Sequence, residues 1–87
     1  MKIKEDFLLR KVADCYVVVP VGKATVDFNG MMNLNETGAF LWEKLENDTT
    51  KEDLLKAMLD EYEVTEGIAK KDIDNFITKL KDGNLLE

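Results

Sequence analysis

The apolar pattern of this 87-residue chain changes period once, at Asn35. Before that point apolar residues come in short runs rich in β-branched side chains, and after it they recur at intervals of three and four, so strands precede helices. A chain built this way must bury one face of a small sheet under its helices, which is an α+β architecture. Phe7 to Val12 and Cys15 to Val21, the latter carrying Val17-Val18-Val19, read as two strands joined at Ala13-Asp14, a hairpin. Pro20 cannot donate to a ladder, so it marks the end of the second strand or a stretch where that strand runs along an edge. Thr25 to Phe28 and Met31 to Leu34 flank Asn29-Gly30, the dipeptide best suited to a tight turn, and predict a second hairpin.

Three helices follow. Asn35 is a good N-cap, Glu36 suits the positive end of the helix dipole, and Ala39, Phe40, Leu41, Trp42 and Leu45 carry the first helix to about Glu46. Thr49 and Thr50 offer overlapping capping boxes with Glu52 and Asp53 before Leu54, Leu55, Met58, Leu59 and Tyr62, a second helix ending at Glu61 to Glu63. Thr65 caps a third, whose stripe is Ala69, Ile73, Phe76, Ile77 and Leu80. Gly83 suits the C′ position that stops it, and Leu85-Leu86 can fold back on the core. A small sheet with three helices is also the build of winged helix-turn-helix domains.

One domain spanning 1–87 is expected, large enough for one modest core. With 45% hydrophobic and 34% charged residues the chain is globular rather than disordered. The apolar runs, such as Tyr16 to Val19, are too short to span a bilayer, and Met1-Lys2-Ile3-Lys4-Glu5-Asp6 has no signal-peptide stretch, so no membrane partner and a cytoplasmic location are expected. Cys15, the single cysteine, sits in an apolar run and reads as a buried small hydrophobe in a reducing compartment.

What is missing bears on function. The chain has no histidine and no serine, which removes serine triads, cysteine-histidine dyads and the commonest zinc sites. Gly22, Gly30, Gly38, Gly67 and Gly83 are scattered singly, so no phosphate loop is present. Asp72-Ile73-Asp74 has the look of a calcium-loop opening, yet Phe76 takes the next ligand position. Asp60, Glu61 and Glu63 lie together on the polar side of a helix end and read as a solvated face. Trp42 and Phe40 read as core rather than as a stacking platform. No catalysis, cofactor or metal is expected.

The net charge of −6 is uneven. Residues 35–65 hold three basic and nine acidic side chains, whereas 1–34 hold five and four, and 66–87 four and five. This is not a surface that attracts phosphate backbones, and the third helix, which would be the recognition helix of a winged domain, has no arginine. The only arginine is Arg10, in the first strand. Met31 and Met32, adjacent in a strand, point to opposite faces, one to the core and one outward, where a flexible methionine beside a free edge suits a peptide contact.

The stretch Phe28-Asn29-Gly30-Met31-Met32-Asn33-Leu34-Asn35-Glu36-Thr37-Gly38-Ala39-Phe40-Leu41-Trp42 resembles the PqqD family, whose members share an apolar strand running into Leu-Asn-Glu-Thr-Gly/Ala and an apolar helix. The ending Asp82-Gly83-Asn84-Leu85-Leu86 is similar to that family's closing Gly-x-Leu. Together with Val17-Val18-Val19-Pro20 and the second-helix pattern, the resemblance runs from Phe7 to Glu87. It implies a RiPP recognition element, winged-helix-like in fold, that binds the leader region of a ribosomally made precursor peptide and presents it to a modifying enzyme, often a radical SAM protein. The leader adds as a strand to the third strand and lies against the third helix. Carried onto this chain, the implied contacts are Gly30, Met31, Met32, Asn33 and Leu34 on the strand and Ala69, Asp72, Ile73, Phe76 and Leu80 on the helix. The segment between Pro20 and Gly30 is longer than in the pyrroloquinoline quinone member, which points to a related peptide pathway.

The expected function is therefore a peptide-binding adaptor with no nucleic-acid partner, working as a monomer or as an edge-paired or swapped dimer. The alternative is a winged-helix transcription factor or a related protein-interaction module.

Overall fold

The structure, a computed structural model, describes residues 1–23, 25 and 32–87. The expected strand over residues 25–28, apart from Thr25, lies outside the described residues, as do the Asn29-Gly30 turn and the expected contacts Gly30 and Met31. Thr25 itself is in a helical turn rather than a strand, its N–H and its hydroxyl both donating to the Gly22 carbonyl.

Strands β1 (Phe7–Val12), β2 (Cys15–Pro20) and β3 (Met32–Leu34) form an antiparallel sheet of order β1-β2-β3, followed by helices α1 (Glu36–Leu45), α2 (Lys51–Glu61) and α3 (Glu66–Asp82). Val12 and Cys15 pair across Ala13-Asp14, the two-residue turn expected. Ala13 has φ 55, the positive value that a type II′ turn requires of its first central residue.

Strand alternation puts Phe7, Leu9, Val18, Met32 and Leu34 on the face that packs against the helices. Leu8, Val12, Cys15, Val17 and Val19 therefore face the other way. Cys15 is exposed, contrary to its reading as a core residue. The apolar run Cys15 to Val19 hides the phase of the strand, and once Val18, fully buried, takes the core side, Cys15 has no place in it. Pro20 ends the central strand, so the first of its two readings holds.

Trp42, Leu41 and Leu45 of α1, Leu54 and Met58 of α2, and Ile73, Ile77 and Leu80 of α3 are at most 2% exposed and fill the core. Trp42 is thus structural, and removing a ring so enclosed costs about 3 to 5 kcal/mol. Helix starts are as expected: the side-chain oxygens of Asn35, Thr50 and Thr65 accept from the N–H groups of Gly38, Asp53 and Ile68. Thr49, the alternative cap of α2, instead uses its backbone to hold Met1.

The end of α3 differs in one residue from expectation. Gly83 is the C-cap with an ordinary helical φ of −86, and Asn84, with φ 59, takes the left-handed C′ position. Asn84 N–H donates to Lys81 and Leu85 N–H to Leu80, the two bonds of a Schellman motif, while Leu85 buries itself against the core as expected. An N-terminal segment closes the fold. Ile3 N–H donates to the Leu45 carbonyl, Lys4 N–H to Leu85 and Glu87 N–H to Lys2, with Ile3 bridged to Leu86 and buried.

Candidate functional site

Which backbone groups of β3 are free follows from the phase of the sheet. Val21 N–H donates to the Asp6 carbonyl at 2.7 Å, which makes 6/21 a hydrogen-bonded pair just beyond the β1–β2 ladder. In an antiparallel ladder such pairs alternate with pairs that do not exchange bonds, so 8/19, 10/17 and 12/15 are bonded as well. Val17 and Val19 are then turned toward β1, and Tyr16 and Val18 toward β3. Tyr16 faces Leu34 and Val18 faces Met32, so those residues close the β2–β3 ladder. Asn33, between them, turns both its N–H and its C=O to the edge of β3 away from β2, which is open among the described residues.

A side-chain contact agrees with this. The Asn33 carbonyl accepts a hydrogen bond from Lys79 Nζ at 3.3 Å, and Lys79 stands on α3, outside the sheet. The outer edge of β3 and the flank of α3 thus face each other across a cleft of about 400 Å³. Leu34, Leu41 and Phe76 provide apolar wall, and Asn33, Asn35, Thr37, Asp72, Asn75 and Lys79 the polar remainder.

The cleft meets the N-terminus of α1 at Gly38, which is buried. A Cβ there would stand 3.1 Å from Asn35 Oδ1 and 3.3 Å from Leu34 Cβ, so a residue without a side chain lets α1 close against β3 while Asn35 caps it. The segment Leu34-Asn35-Glu36-Thr37-Gly38 thereby turns the chain from the open edge into the helix within one cap. It shapes one end of the cleft.

Of the helix residues implied by resemblance, Asp72 and Phe76 line this cleft, and so does Leu34 from the strand. Met32 is half-buried on the core face and bonds to β2 rather than outward. Ala69, Ile73 and Leu80, at 0%, 2% and 0% exposure, are core, because the apolar stripe of α3 points into the molecule and the cleft lies on its flank. The residues not expected are Asn35, Thr37, Gly38, Leu41, Asn75 and Lys79. Helical spacing held a signal for two of them, since Asn75 and Lys79 follow Asp72 by three and seven residues on one flank.

The sequence profile of the family described as Coenzyme PQQ synthesis protein D (PqqD) matches residues 15–86. Comparison with curated proteins finds no match. Among solved structures, TbiB1 in complex with the TbiA(beta) leader peptide is 24% identical with a TM-score of 0.78, over 100% of this chain and 95% of that one. Lasso peptide synthetase B1, complexed with the leader peptide, is 21% identical with a TM-score of 0.74, over 97% and 93% of the two chains. At these identities the likeness is one of fold.

Proposed function

This chain belongs to the PqqD family, and from that we propose that it is a non-catalytic adaptor that takes up the leader region of a ribosomally made precursor peptide and presents it to a separate modifying enzyme. The guest adds as a fourth strand beside β3. It lies in the cleft against α3. The observation that carries this reading is the edge at Asn33, whose N–H and C=O face away from β2 toward a cleft of about 400 Å³. Strand addition satisfies both groups, with main-chain bonds giving affinity and the cleft side chains selectivity.

Two proteins of the same fold hold leader peptides, which supports a leader as the class of guest. Nothing catalytic is assigned to the adaptor: it raises the effective concentration of the peptide at the enzyme, for which a radical SAM protein is the proposed partner. The charges of α3 argue in the same direction. Its four lysines stand against four acids, with Lys70 paired to Glu66 at 3.1 Å, so the helix has no excess of positive charge of the kind phosphate binding needs.

The test is a titration by calorimetry with synthetic precursor leader peptides, at low and at high salt, together with a DNA duplex as control. Binding of the peptide that weakens only mildly with salt supports the adaptor. Steeply salt-dependent binding of the duplex, with none of the peptide, supports the winged-helix alternative instead.

A further inference from the structure

The cleft has a charge order. Its charged side chains among the described residues are one acid, Asp72, and one base, Lys79, and both are exposed on the same flank of α3. On the same helix Lys70 is paired with Glu66 and Asp74 with Lys51. Asp72 and Lys79 take part in none of the ion pairs among the described residues, and Lys79 instead rests on the Asn33 carbonyl. That carbonyl is the acceptor a guest strand needs. A guest N–H that takes it displaces or shares the ammonium, whose next partner is then the guest itself.

The two charges are also placed along the guest. α3 runs opposite to β3: Lys79 is at Asn33, whereas Phe76 stands by Gly38 further along the chain. Seven residues of helix separate Asp72 from Lys79 by about 10 Å along the axis. A strand rises about 3.3 Å per residue with side chains on one face every second position, so guest residues two to four apart reach both charges.

Resting on the strand-addition reading above, we propose that the cleft selects a peptide with an acidic residue beside Asn33 and Lys79 and a basic residue two to four positions away, beside Asp72. The order of the two charges in the guest reports its direction. A guest antiparallel to β3 passes Asp72 first and carries base before acid, and a parallel guest carries acid before base. In the free protein the Lys79 contact has a second effect, since a cation held at an open edge disfavours pairing with another copy of the chain.

The probe is a displayed library of random 12-residue peptides, selected against the parent protein, Lys79→Glu and Asp72→Lys, with each winning peptide then titrated against Asn33→Pro. The parent pool is expected to be enriched in acid and base two to four positions apart. Lys79→Glu is expected to exchange the acidic preference for a basic one and to bind the parent's peptides on the order of tenfold more weakly, as loss and reversal of a charge-assisted bond implies. Both side chains being exposed, melting temperatures should stay at the parent value. Peptides that Asn33→Pro blocks but that are indifferent to residues 72 and 79 overturn this inference and leave strand addition standing. A library that yields no binder, or binders that Asn33→Pro does not affect, overturns strand addition and this inference with it.

Discussion

Val21 donates its N–H to the Asp6 carbonyl at 2.7 Å, and this one pair sets the direction in which every backbone group of the sheet points. Counting outward from it by twos turns Val17 toward β1, Val18 toward Met32, and Asn33 toward the open edge.

Two neighbouring proline substitutions should therefore separate fold from function. Met32→Pro removes an N–H that bonds to β2 and is expected to lower stability by about 1 to 3 kcal/mol, the cost of a broken buried bond. Asn33→Pro removes only an outward N–H, so its urea midpoint should stay close to the parent's while peptide affinity falls. Equal stability loss in both variants would show the phase of β3 to be wrong.

The turn at Ala13 holds a non-glycine residue at φ 55, where its Cβ crowds the backbone. Ala13→Gly removes that strain and should raise stability by about 1 kcal/mol, read as a higher thermal midpoint, with peptide binding unchanged. A lowered midpoint would mean that the gain in unfolded-chain entropy outweighs the relief.

At the end of α3 the glycine and the left-handed residue are different residues. Asn84→Ala should cost about 1 kcal/mol, because it puts an ordinary side chain at φ 59. Gly83→Ala should be neutral or stabilising by up to about 1 kcal/mol, since its φ is helical and a Cβ there meets its nearest atom, Leu85 Cδ1, at 3.4 Å. Chemical denaturation of the two variants checks the pair, and the reverse ranking would place the Schellman turn one residue earlier.

These cases also show what a sequence like this discloses. The caps at Asn35, Thr50 and Thr65 were legible because a cap is a local event, one side-chain oxygen meeting an N–H three residues on. The three helices and the first hairpin followed from the change of period, whereas Thr25, expected in a strand, sits in a helical turn. The phase of β2 was not legible, because Cys15 to Val19 is apolar on both faces, and only long-range packing of Val18 decides it. The Ile3 bridge to Leu86 was invisible, since a single pairing leaves no periodicity.

The candidate cleft was half legible. The resemblance led to β3 and α3, but the apolar stripe of a helix marks what it buries, so Ala69, Ile73 and Leu80 went to the core and the cleft fell to the flank of Asp72, Asn75 and Lys79. Which strand residue faces outward needed the bonded pairs of the sheet.

The most direct test is amide hydrogen exchange at Asn33 by NMR, with and without a leader peptide that binds this chain. In the free protein no described residue pairs with the Asn33 N–H, which should exchange fast, while Met32 and Leu34, bonded to β2, exchange slowly. Saturating peptide should slow Asn33 by at least tenfold, on the order expected when one hydrogen bond of about 1.4 kcal/mol forms across the edge. Peptide that binds while Asn33 continues to exchange at its free rate would contradict strand addition at β3.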